Sequence, residues 1–125
     1  MIEYIIIARR LSGFERERGA GAGLGFNKNY PLPPGTTDEK YLPVLLKAIK
    51  DIQKYNPEFL VLSAGFDTYE KDPIGSFKLT IPFYETIGRE IAQLRLPTVI
   101  VQEGGYHVGD LGKIALSLLK GITSS

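Results

Sequence analysis

Apolar residues run along this chain in two rhythms. Three short stretches are nearly continuous: Tyr4 to Ala8, Phe59 to Ala64 and Thr98 to Val101. Runs of this length, rich in Val and Ile and bounded by Gly or Pro, predict buried strands. Between and after them the spacing changes to three and four. Leu42, Leu45, Leu46, Ile49 and Ile52 share one helical face, as do Ile81, Tyr84, Ile87, Ile91 and Leu94. Leu111, Ile114, Ala115, Leu118 and Leu119 make a third such face. The reading is strand 4–8, glycine-rich loop 19–35, helix 38–55, strand 58–64, helix 80–94, strand 97–102 and helix 109–121. Strands alternating with helices predict an α/β fold with a parallel sheet, in one domain spanning 1–125.

Local signals refine the ends. Thr36-Thr-Asp-Glu39 has capping-box spacing, while Pro43 predicts that the regular helix starts somewhat later than the box. Thr80 reads as an N-cap with Pro82 in the first turn, Gly88 as a place of close packing, and Gly121 as a C-terminal stop.

Composition narrows the possible partners. With 43% hydrophobic and 23% charged residues, the chain is that of a folded globular domain. A formal net charge of +1 gives no field for nucleic acid or an anionic membrane surface. The dense charges from Arg9-Arg10 to Glu15-Arg16-Glu17-Arg18 alternate in sign, as a solvated edge does. Cysteine is absent, which removes disulfides, thiolate metal sites and cysteine nucleophiles and suits a cytoplasmic location. The apolar start is too short for a membrane span and lacks the features of a signal sequence.

The chemistry gathers where strands end. Ligands of open α/β sheets bind at the carboxyl ends of the strands, and Asp67 follows the second strand through Ser63-Ala-Gly-Phe. Its carboxylate could ligate a metal, orient a histidine or cap the next turn. The third strand leads into Gln102-Glu-Gly-Gly-Tyr-His107. Gly104 and Gly105 permit a tight turn and close ligand approach, and the Tyr106 hydroxyl could donate to a developing oxyanion or simply pack. Asp72-Pro-Ile-Gly75 is ordinary turn chemistry. His107 is the only histidine, expected to be partly exposed, and one imidazole cannot complete a catalytic zinc site. Gly19, Gly21, Gly23 and Gly25 lack both the Gly-Lys-Ser/Thr ending and the direct helix of a phosphate loop.

Three segments together resemble the zinc-dependent histone deacetylase and acetylpolyamine amidohydrolase family: Gly25-Phe-Asn-Lys-Asn-Tyr-Pro-Leu-Pro-Pro-Gly-Thr36, Ser63-Ala-Gly-Phe-Asp-Thr-Tyr-Glu-Lys-Asp-Pro-Ile-Gly75 and Gln102-Glu-Gly-Gly-Tyr106. The acetylpolyamine and acetoin-utilization-like branch looks nearest. The resemblance implies the C-terminal half of a three-layer arginase/deacetylase-like fold. It implies Asp67 as one of three zinc ligands, Tyr106 as the group that polarises an acetyl carbonyl, and amide hydrolysis as the reaction.

The family's Asp-x-His ligands and His-His pair have no counterpart in these 125 residues. The expectation is therefore a truncated, deacetylase-like protein that does not bind zinc stably and is not competent as a single chain. An acetylated amine would be a substrate only after complementation. In the family, the strand bearing Asp-x-His lies beside the one leading to Asp67, so its absence predicts an uncovered sheet. A second copy in a homodimer, a missing N-terminal half, or Tyr4 to Ala8 repacked into the vacancy would cover it. The alternatives are a split-enzyme subunit that lends Asp67 and Tyr106 to a partner, or a noncatalytic oligomeric or ligand-binding module.

Overall fold

A computed structural model describes residues 4–6 and 13–124. Strands β1 (Tyr4–Ile6), β2 (Leu60–Ala64) and β3 (Thr98–Gln102) form one parallel sheet in the order β1-β2-β3. Tyr4 pairs with Val61, placing β1 beside the strand that leads to Asp67. Residues 7 and 8 of the expected first strand lie outside the described residues. Helix α1 (Asp38–Tyr55) connects β1 to β2, α2 (Ile81–Ala92) connects β2 to β3, and α3 (Val108–Thr123) follows β3.

Both crossovers step across the sheet in the same direction. Right-handed connections then put α1 and α2 on the same face. The core agrees: Tyr41, Leu45 and Ile49 of α1 cluster with Leu60, Leu62 and Ala64 of β2 and with Tyr84, Ile87 and Ile114 of α2 and α3. The opposite face carries no helix among the described residues. Its side chains are Val61 and Ser63, paired in register with Val99 and Val101. Val99 is 61% exposed and Val101 42%. A strand such as Thr98-Val-Ile-Val, apolar on both sides, is the kind found in sheets covered twice, yet the described residues supply only one helical layer of the three-layer fold.

Several local expectations need correction. The capping box does not form: Thr37 is the N-cap of α1 without a side-chain cap bond, and the buried Thr36 hydroxyl donates to the Pro33 carbonyl at 2.6 Å. Asp38 instead accepts from the Thr80 N–H at 3.0 Å and the Thr80 hydroxyl at 2.7 Å, tying the starts of α1 and α2 together. Pro43 lies inside α1 rather than delaying its start. Pro43 and Glu39 are both exposed, so water can serve the carbonyl that proline cannot reach. Gly121 is not a stop. A Cβ there would lie 2.1 Å from the Glu85 carbonyl oxygen, and one on Gly88 would lie 2.3 Å from that of Leu118. Two glycines thus let α2 and α3 touch backbone to backbone, and α3 runs on to Thr123.

Candidate functional site

The ladder between β2 and β3 continues past the strands. The Glu103 N–H donates to the Ala64 carbonyl at 3.0 Å, and the Phe66 N–H donates to the Gly104 carbonyl at 2.8 Å. The Ser63 hydroxyl adds a bond to Glu103 Oε1 at 2.8 Å. Asp67 and Tyr106 therefore leave adjacent strand ends on the same rim, as the parallel pairing requires.

Asp67 is packed closely by glycines. A Cβ on Gly104 would sit 3.0 Å from its carboxyl carbon and Oδ2, and one on Gly65 would sit 3.1 Å from Oδ1. A Cβ on Gly75 would overlap the Asp67 carbonyl oxygen at 1.5 Å. Gly105, at φ 135°, has no room either, because a Cβ would meet Leu111 and Phe66 side-chain carbons at 2.9 Å. The missing side chains at Gly104 and Gly105, expected to admit a ligand, make room within the protein for Asp67 and Phe66. Burial raises the Asp67 pKa, the charge of Asp72 adds to that, and its own backbone N–H only partly offsets them. Beneath the rim, Thr68 and Tyr84 share a buried 2.7 Å hydroxyl contact, and the Phe66 ring meets Tyr84 edge-on at 5.8 Å.

Asp72 is the contrasting carboxylate, 9% exposed. Its Oδ1 accepts from the Ile74 N–H at 2.9 Å and the Gly75 N–H at 2.8 Å. Its Oδ2 accepts from the Tyr106 N–H at 2.8 Å. Burial alone would raise its pKa, but the N–H groups of Tyr106, Gly75, Ile74 and His107 together hold it below the usual carboxylate range. Asp-Pro-Ile-Gly signals the local turn bonds; nothing in the spacing signals the reach to Tyr106, 34 residues away.

Tyr106 itself is 49% exposed, and its hydroxyl has no hydrogen-bond partner among the described residues. His107 N-caps α3 and is partly exposed, with its ring edge-on to Tyr69 at 5.5 Å. Its Nδ1 lies 3.4 Å from Asp110 Oδ2 but makes no hydrogen bond. Asp110 is engaged instead by Lys113 at 2.8 Å and by the Tyr69 hydroxyl at 3.0 Å.

The donor set does not fit a zinc ion. Catalytic zinc takes three protein ligands with a water, and the rim offers Asp67 without a second ligand. Asp72 is occupied by backbone donors, the one imidazole of the chain stands beside Tyr69 and Asp110 at the start of α3, and no group of three His, Cys, Asp or Glu among the described residues could hold a metal. No helix among the described residues is long and apolar enough to cross a membrane.

Comparison with known proteins agrees with the geometry. Residues 11–122 match the histone deacetylase domain. The chain is 43% identical over 111 residues to an acetylpolyamine amidohydrolase of Burkholderia pseudomallei, covering 89% of this chain and 33% of that protein. It is 45% identical over 109 residues to acetylpolyamine amidohydrolase 1 of Pseudomonas aeruginosa, covering 87% and 32%. Histone deacetylase 8 of Xenopus tropicalis is 37% identical over 91 residues, covering 72% and 25%. The crystal structure of the Burkholderia acetylpolyamine aminohydrolase superposes with a TM-score of 0.84 over 89% of this chain and 32% of its own. The chain thus spans about a third of the length of the acetylpolyamine amidohydrolases it matches. By sequence match and by fold, the chain belongs to the histone deacetylase domain family.

Proposed function

We propose that this chain forms one side of a deacetylase-type amide-hydrolysis site and is not a competent hydrolase by itself. The observation that carries the reading is the rim: Asp67 and Tyr106 leave adjacent strand ends, and Asp67 stands there as a half-buried carboxylate without companion ligands. Asp67 is one ligand of a metal that needs more. The exposed Tyr106 hydroxyl, unengaged by the described residues, is suited to donate to the oxygen of an acetylated amine as charge develops on it.

The remaining groups come from a complementary polypeptide of the same family, one that carries the imidazoles this chain lacks. Its seat is the bare sheet face of Val61, Val99 and Val101, and its ligand-bearing strand enters beside β2 by displacing the three-residue β1. Two arguments support that occupant. The right-handed crossovers of this chain leave that face open, and the relatives have about twice as much further chain with which to cover it. A second copy could also bury the face, but it would bring only another His107.

The test mixes the 125-residue chain with the complementary two thirds of the Burkholderia relative. Association, zinc content and acetylpolyamine hydrolysis are followed separately. The chain alone should be inactive and the mixture active. Tyr106→Phe should lower turnover by about 10² to 10³ without weakening association. Val99→Lys should weaken association by at least about tenfold, because it places a charge in the apolar seat. Metal-dependent hydrolysis by the chain alone overturns the reading. A homodimer broken by Val99→Lys, with no uptake of the complement, would instead identify a noncatalytic oligomer.

A further inference from the structure

We infer that Asp72 is a positioning residue: its buried carboxylate holds the backbone that aims Tyr106 and fixes it relative to Asp67. The inference rests on the reading of Tyr106 as the oxyanion donor and adds a residue to that site.

The geometry is that of a clasp between two loops. One carboxylate oxygen closes the turn at Ile74 and Gly75, within the loop that begins at Asp67. The other takes the Tyr106 N–H from the loop that follows β3. Two further contacts fix the approach to Tyr106: the Gly104 carbonyl accepts from the Phe66 N–H, and Gly105 is wedged between Phe66 and Leu111. Since the Tyr106 side chain has no hydrogen-bond partner among the described residues, its direction is set by its backbone. The Asp72 bond is the contact made to that backbone at the residue itself. The same carboxylate holds Gly75, whose α-carbon packs against the Asp67 carbonyl. One side chain therefore sets both partners of the rim.

Asp72→Asn separates the two halves of the clasp. With its oxygen toward Ile74 and Gly75, an amide keeps both turn bonds and turns its NH2 toward the Tyr106 N–H, donor against donor. The flipped amide would break both turn bonds, at 2.9 and 2.8 Å, to keep the Tyr106 bond and the His107 N–H, the weakest of the four contributions, so the first orientation is favoured. The variant should keep the turn and lose the bond that orients Tyr106.

The experiment is NMR on the 125-residue chain as it stands. In the wild type, a through-hydrogen-bond coupling should connect the Tyr106 amide nitrogen to the Asp72 carboxylate carbon. In Asp72→Asn, hydrogen-exchange protection of the Tyr106 amide should fall at least about tenfold, with the Tyr106 ring signals narrowed, while Ile74, Gly75 and the helices keep theirs. Absence of the wild-type coupling overturns the inference, even if the variant fails to fold. So does unchanged Tyr106 protection, or a loss shared equally by the helices, which would make Asp72 a general structural residue. Neither measurement reads hydrolysis or zinc, so failure of the half-site reading and failure of the clasp are told apart.

Discussion

Asp67 and Asp72 stand five residues apart on one loop and have opposite environments. Asp72 is surrounded by backbone N–H groups that favour its charge. Asp67 is surrounded by glycine α-carbons, a half-buried setting and the charge of its neighbour, all of which leave its ionised form poorly served. The difference separates a carboxylate whose partners are supplied by the fold from one served, among the described residues, only by its own backbone N–H. Every prediction below either widens that contrast or abolishes it.

The largest effect should come from Gly75→Ala. A methyl group 1.5 Å from the Asp67 carbonyl oxygen meets backbone, which cannot swing aside as a flexible side chain can. A stability loss of more than about 3 kcal/mol is expected by urea unfolding. A loss below about 1 kcal/mol would mean that the loop relaxes freely, and the tight packing around Asp67 would no longer distinguish it from Asp72.

Asp72→Ala comes next. It leaves the Ile74, Gly75 and Tyr106 N–H groups without their acceptor in a mostly buried place. A loss of about 2–4 kcal/mol is expected, larger than for Asp72→Asn, which retains the two turn bonds. Equal losses for the two variants would show that the turn bonds contribute little and would move the weight of the clasp to Tyr106.

What the sequence made legible follows the range over which each signal acts. Helix 38–55 is fixed by spacing within a few turns, and the structure has α1 at Asp38–Tyr55. Thr36 looks like the head of a capping box because Glu39 stands three residues on, but its hydroxyl goes to the Pro33 carbonyl, and Asp38 between them is tied to Thr80, 42 residues away. Gly121 looks like a stop because its packing partner, the Glu85 carbonyl, lies on another helix. The same limit divides the rim. Asp67 and Tyr106 are marked by strand-end position and by motif, whereas the joining of their loops through Asp72 depends on two strands being brought together. The bare sheet face was half legible: β3 reads as apolar on both sides, but the face left open follows from the handedness of the two crossovers.

Acid should act on the two carboxylates in opposite directions. The Asp72 pKa is depressed in the folded chain, so its contribution to stability is complete above the ordinary Asp value of 3.8 and is lost as pH falls through the depressed value. The Asp67 pKa is raised, so the folded state takes up its proton first and gains relative to the unfolded chain as pH falls through that raised value. Urea midpoints measured from pH 6 to pH 3 should decline less steeply below 3.8 in Asp72→Asn than in the wild type. Parallel curves would remove Asp72 as a source of acid sensitivity.

The smallest effect is the most informative about Asp67. Most substitutions at a half-buried, closely packed position destabilise, and Asp72→Asn should do so. Asp67→Asn should not. The amide is nearly isosteric, so the contacts with Gly65 and Gly104 survive, while the charge that burial and Asp72 disfavour is removed. Unchanged stability or a gain of up to about 1 kcal/mol at pH 7 is expected. A clear loss would mean that the Asp67 carboxylate, like that of Asp72, is satisfied within the chain, and the contrast between them would vanish. A neutral or favourable result at a carboxylate kept against its own folding energetics is what a ligand position awaiting a cation should give. In the presence of the complementary polypeptide and zinc, the same substitution should then reverse sign and weaken the assembly.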